Sequence, residues 1–186
     1  LGARTTADID GQIAKILRGL GNPEPPLGLV MVRELLKLDF NYYSTTDDGL
    51  LREVTSRLIV MGKQIIKRPT IVGDAVRTLS LKALYLPDQK RIMLDKDLPV
   101  LKHRWNEAHE IGHGIIPWHE GMMFGDNKQS LTPACHEKME AEANYAAGQL
   151  LFMGDRFRVE AVESSPSLDF VKKMSKQFGN TITSTL

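Results

Sequence analysis

The residues His109-Glu110-Ile111-Gly112-His113 are where this sequence concentrates chemistry. On a helix, His109 and His113 fall four apart on one face, so two imidazoles can bind one Zn²⁺. Glu110 is rotated by about 100° from His109. It therefore stands outside the ligand pair but within reach of a water held there, which is the place of a general base. The surrounding pattern is helical. Leu101, Trp105, Ala108, Gly112, Ile115 and Ile116 recur at spacings of three and four. Pro99 suits the first turn of this helix and Pro117 ends it. Both histidines lie beside the apolar stripe, at the rim of a core.

Two histidines do not complete a zinc site, which needs a third protein ligand and an open position. His119, ten residues after His109, stands where metzincin proteases carry their third histidine. The glycine those proteases use to turn the chain is here Ile116, followed by Pro117. The second candidate is a glutamate in Met139-Glu140-Ala141-Glu142-Ala143-Asn144-Tyr145-Ala146-Ala147. Glu140, Ala143, Asn144, Ala147 and Leu151 share one helix face, where alanines let two helices approach closely. A carboxylate on such a face is costly unless it is ionised and paired with a metal. Glu140 is therefore the expected ligand and Glu142, aligned with Tyr145, Ala146 and Gln149, the substitute. Asn144 is placed to hold a ligand histidine by its free ring N–H. A second electrophile is needed for a developing oxyanion. His136, one turn before Glu140, is the first candidate, followed by His119 and Tyr145.

The elements that must position these groups are mostly helices. Ile9, Ile13, Ile16, Leu17 and Leu20 predict a helix over residues 7–20, closed by Gly21 and Pro23. A second follows Pro25-Pro26, with Leu29, Val32 and Leu36 on one face. Residues 40–43 read as a short strand and 47–61 as a helix, while 63–80 are weakly patterned and irregular. Residues 81–86 and 91–95 read as a hairpin around Pro87-Asp88-Gln89-Lys90. A long connection, 117–134, separates the histidine helix from a helix over 135–153. Its Met122, Met123 and Phe124 suggest a lip over the site. Asp155 is an expected N-cap, Ser165-Pro166 begins a helix that Gly179 closes, and Thr181 caps a last one. The fold class expected is α+β: a mostly helical, zincin-like arrangement with a small antiparallel sheet. One domain is expected over residues 1–186, with N-terminal helices in 1–62, the hairpin and zinc-site helices in 81–153 and C-terminal helices in 154–186.

Composition excludes several classes of function. Hydrophobic residues are 42% and charged residues 25% of the 186, and the net charge is +1. Neither disorder nor bulk attraction to nucleic acid or anionic membrane follows from such a balance. Charge is uneven, however. Residues 63–104 hold ten Lys/Arg against four Asp, and 105–163 hold four Lys/Arg against ten Asp/Glu. One cysteine, Cys135, rules out an intramolecular disulfide and is consistent with a reducing compartment. No apolar run approaches the ~18 residues of a membrane span. No basic stretch followed by an apolar run marks a signal peptide, and the first residue, Leu1, suggests a fragment or processed form.

Taken together, the two chemical segments resemble the ImmA/IrrE family of metallopeptidases. That family shows H-E-h-G-H, h being apolar, and then a helix with E-x-E-A-N-x-F/Y-A-A. The second segment matches from Glu140 to Ala147, with two residues rather than one before Leu150-Leu151. The hairpin, Arg104 and, loosely, the tail around Phe178 are also similar. Likeness is good over 81–186 and limited to helix pattern over 5–60. The resemblance implies a cytoplasmic zinc endopeptidase with an H-E-x-x-H plus Glu site, gluzincin-like, that cleaves DNA-bound transcriptional repressors. In that expectation His109, His113 and Glu140 hold Zn²⁺ and Glu110 is the base. The partner is a protein or peptide, with no direct nucleic-acid contact and no membrane. Two other readings stay open. A non-catalytic metal-sensing regulator would keep the ligands and tolerate loss of Glu110. A transcription-linked binding module would use the last helices, where Lys172, Lys173 and Lys176 form a weak basic stripe that a solvated face explains as well.

Overall fold

The computed structural model describes residues 1–44, 82–123 and 133–186. Helix α1 covers Ala3–Gly19 and α2 Leu29–Leu36. Strands β1, Asp39–Tyr43, β2, Ala83–Leu86, and β3, Arg91–Asp95, form one sheet. Helix α3 covers Val100–Ile115, α4 Pro117–Met123 and α5 Pro133–Leu151. Three further helices follow: α6, Asp155–Val162, α7, Leu168–Phe178, and α8, Ile182–Thr185. The fold is α+β and mostly helical, as the periodicities predict. The expected helix 47–61 and the irregular stretch 63–80 lie outside the described residues.

Local sequence explains most of these elements. Ile9, Ile13 and Ile16 form the buried stripe of α1, which ends where Gly21 and Asn22 turn left-handed. The hairpin forms as expected. A 3₁₀ turn, Pro87–Gln89, joins β2 to β3, with Lys90 left-handed at φ 48°. Ser167 caps α7 by accepting from the Phe170 N–H, and Thr181 caps α8 by accepting from the Ser184 N–H. The cap of α6 differs from expectation. Met153 and Gly154 both turn left-handed, so the cap is Gly154 and Asp155 begins the helix.

The sheet corrects the sequence expectation of an antiparallel one. Its order is β1-β3-β2 and it is mixed: β2 pairs antiparallel with β3, but β1 pairs parallel with it, Asp39 opposite Arg91 and Tyr43 opposite Asp95. The hairpin dictates its own antiparallel pairing through a short turn. Nothing local in Asp39–Tyr43 encodes the direction in which a strand from far along the chain adds to its edge.

The connection 117–134 also differs from a plain loop, since its first seven residues form α4. Residues 124–132, including Phe124, lie outside the described set, as do the side chains of Met122 and Met123. Of the lip expected there, only α4 is described, and its His119 is fully buried.

Helix α3 lies between the sheet and α5, and α1 packs on α5. Ala108, Ile111 and Ile115 of α3 meet Tyr85 and Ile92 from the sheet and Ala146, Ala147 and Leu150 from α5 in one core. The α3–α5 contact is close because of Gly112. A Cβ there would stand 2.9 Å from the Ala143 carbonyl oxygen and 3.3 Å from the Ala146 Cβ.

Candidate metal centre

The close contact of α3 and α5 brings three ligand atoms together. His109 Nε2 lies 3.2 Å from His113 Nε2 and 3.3 Å from Glu140 Oε2, and His113 Nε2 lies 3.5 Å from Glu140 Oε1. Ligand atoms held 2.0–2.1 Å from one tetrahedral metal must stand about 3.3–3.4 Å apart. The spacing of the three side chains matches that requirement. These residues are a group that could hold a metal ion, the only such group among the described residues.

The opposite ring nitrogens agree with this orientation. His109 Nδ1 is 3.1 Å from Asn144 Oδ1, so its N–H donates there and Nε2 is left bare toward the cluster. Asn144 thus stands where the helix spacing predicted. Two bare imidazole nitrogens and a carboxylate converging on one point form a cation site by the chemistry of the donors. When protonated, the same ring nitrogens hydrogen-bond Glu140. Burial opposes charge on His109, but hydrogen bonding to Glu140 and the charges of Glu110 and Glu140 raise its pKa. Hydrogen bonds from His109 and His113 hold the Glu140 carboxyl well below the usual range.

Glu110 is 7% exposed, on the sheet side of α3. Burial pushes its pKa up, and the charges of His113 and His109 and a backbone N–H bond from Tyr85 pull it back. A carboxyl with this balance can both take and release a proton. Tyr43, buried at the end of β1, has its hydroxyl pKa raised by burial and by the charges of Asp95 and Glu110.

A family model described as the IrrE N-terminal-like domain, peptidase M78, matches residues 71–182, over half of the chain. The chain belongs to that family. No curated protein matches it. The match spans every element of the cluster in this M78 domain, from β2 to the end of α7. Among the described residues no helix is long and apolar enough to cross a membrane.

Two expected alternatives for the third ligand are corrected. His119 does not join the His109–His113–Glu140 cluster. Its Nδ1 lies 3.0 Å from His113 Nδ1, on the side of that ring away from Nε2, and its Nε2 lies 2.9 Å from Glu142 Oε2. The metzincin arrangement therefore does not form. Pro117 starts α4 directly after α3, and the turn carries His119 behind His113 rather than in front of it.

Glu142 is not a substitute for Glu140 either. It is 1% exposed, whereas the Glu140 side chain is 42% exposed. The face of α5 turned inward is centred on Met139, Glu142, Ala143, Ala146 and Leu150, so Glu140 stands at its edge, open to the metal cluster. Inside, Glu142 accepts from the Trp118 Nε1–H at 2.6 Å as well as from His119. Burial works against its charge, but those two hydrogen bonds hold its pKa below the usual range. Burial lowers His119 to about 4, so its ring is neutral near pH 7.

Of the oxyanion candidates, Tyr145 donates its hydroxyl proton to Asp10 of α1 at 2.9 Å, and His119 is enclosed. His136 lies one turn before Glu140 in α5, with its side chain outside the described residues. Sequence reasoning missed Tyr43, Tyr85 and Trp118 as neighbours of the site. Only Trp118 left a signal, an aromatic donor wedged between Pro117 and a histidine.

Proposed function

We propose that this chain is a zinc-dependent endopeptidase whose Zn²⁺ is held by His109, His113 and Glu140. The observation that carries the reading is the 3.2–3.5 Å spacing of their ligand atoms, beside a buried Glu110, in an M78 peptidase domain. Three protein ligands are the donor number of a catalytic zinc site, which keeps a further position for water or substrate. Bound there, zinc would polarise the scissile carbonyl and lower the pKa of a water toward ~7.

The chain's own residues supply the rest. Asn144 keeps the His109 Nδ1–H engaged, so that Nε2 presents its lone pair to the cluster. The Glu110 carboxylate takes a proton from the attacking water and returns it to the leaving nitrogen. Its burial keeps bulk water from competing for that proton. We assign His136, by its place on α5, to donate to the oxygen that gains charge.

The substrate we assign is a repressor-type regulatory protein in the cytoplasm. The likeness of the H-E-I-G-H and E-A-E-A-N segments to ImmA/IrrE metallopeptidases supports it. Metal analysis of purified protein tests the core of the proposal. About one zinc per chain is expected in the wild type, and loss of it in His113→Ala and Glu140→Ala. Full retention in both variants overturns the ligand set.

A further inference from the structure

Behind His113 runs a line of polar groups that lies outside the His109–His113–Glu140 cluster. Glu142 is 1% exposed and His119 fully buried. Burying a carboxylate and an imidazole together is expensive unless each polar atom is engaged. Among the described residues Glu142 Oε1 has no hydrogen-bond partner and only Lys138 Nζ at 3.7 Å, so the engagement runs through Oε2 and has a direction. An ionised carboxylate only accepts, so Glu142 Oε2 receives the Trp118 Nε1–H at 2.6 Å and the His119 Nε2–H at 2.9 Å. His119 has its Nε2 taken up by Glu142, which leaves its Nδ1 to face the next ring. That atom lies 3.0 Å from His113 Nδ1, so His113 must donate from Nδ1 and keep Nε2 bare. His113 Nε2 is the atom that faces His109 and Glu140.

We propose that His119 and Glu142 are positioning residues that fix the tautomer and ring orientation of His113, with Trp118 clamping the carboxylate at the far end. Resting on the zinc reading above, this extends it. The two ligand histidines are then set by different means, His109 by a single exposed amide and His113 by a buried line of three side chains from α4 and α5. A hydrogen-bonded carboxylate at the end of such a line also makes the ligand nitrogen more basic, which strengthens its bond to a metal. With Ile116 alone between α3 and α4, the helix that starts at Pro117 brings Trp118 and His119 back beneath His113 while α5 supplies Glu142.

The test has two arms. In the first, long-range ¹H–¹⁵N correlation on wild-type protein freed of metal, above pH 7.5, reads the proton on each ring nitrogen. The expected result is Nε2–H for His119 and Nδ1–H for His113. A His119 proton on Nδ1 overturns the proposal without reference to zinc or activity. In the second, zinc affinity is measured by competition with a chelating dye. His119→Phe fills the space without hydrogen bonds and is expected to bind zinc about ten- to a hundredfold more weakly. His119→Gln, whose amide carries one acceptor and one donor, should recover most of that loss. Wild-type affinity in a folded His119→Phe, judged by circular dichroism, overturns the proposal. Should that variant not fold, Trp118→Phe takes its place, with a severalfold weakening expected and an unchanged affinity counting against the clamp. Failure of the wild type to bind zinc would instead overturn the function proposed above, leaving the first arm to decide the relay.

Discussion

At the scale of single residues, the division of labour among four carboxylates and histidines follows from which atoms each has left over. His109 and His113 have spent their Nδ1–H groups on Asn144 and His119. Burial raises the Glu110 pKa, and among the described residues Glu110 accepts its hydrogen bond from the Tyr85 backbone N–H. It is the group in the cluster free to move a proton. Glu110→Gln should keep the fold and the zinc content but lower kcat on a cleavable substrate by about 10²–10⁴-fold, the usual size of a general-base contribution. Steady-state kinetics beside metal analysis checks it. An equally active variant would favour a regulatory role, and a metal-free one would make Glu110 a ligand. The histidine pair and Glu140 were legible in the sequence because helix spacing is local and fixes which side chains share a face. The roles of Glu142 and His119 were not. Whether a glutamate on α5 is enclosed depends on where α3 and α4 lie across it, and residues 113, 119 and 142 meet only in three dimensions.

At the scale of elements, the site depends on the distance between α3 and α5. Gly112 sits on the contact face, and any side chain there meets the backbone of Ala143 rather than a flexible tip. Overpacking of this kind costs about 1–3 kcal/mol, because backbone must shift. Gly112→Ala should therefore lower stability by that amount and also weaken zinc binding, since His109 and His113 belong to one helix and Glu140 to the other. Denaturant unfolding and chelator competition measure the two effects separately. A variant destabilised but with wild-type zinc affinity would show that the ligands tolerate a wider gap. The helices and the hairpin were readable from the chain because apolar period, caps and turn residues act within a few residues of one another. The parallel partner of β3 was not, since Asp39–Tyr43 has only an alternation to offer and its neighbour is chosen by the packing of α2 and α3.

On the scale of the whole molecule, Arg104 joins parts that are distant in sequence. From α3, its Nη1 donates to the Leu27 carbonyl at 2.8 Å and its Nη2 to the Phe178 carbonyl at 3.3 Å. It thereby ties the start of α2 and the end of α7 to the helix that carries the histidines. Arg33 of α2 adds a second tie, an ion pair with Glu107 at 2.7 Å. Arg104→Met keeps the length of the side chain but abandons both carbonyls. The loss expected is about 1–3 kcal/mol, read as a fall of about 2–4 °C in Tm per kcal/mol. Zinc stoichiometry should not change, because Arg104 touches no ligand. An unaltered Tm would mean that water satisfies the two carbonyls equally well.

The strand order β1-β3-β2 also bears on where the histidine helix starts. Tyr43 pairs beside Asp95 and Ala83 beside Leu94, so the segment between them leaves and rejoins the sheet at the same end. The two anchor points are separated by two strand spacings, about 10 Å. Both anchors are held by β3, where the Lys96 N–H donates to the Tyr43 carbonyl and the Asp95 N–H to the Lys82 carbonyl. The end of β3 is thus gripped on both of its edges just before α3 begins, which fixes where the histidine helix starts.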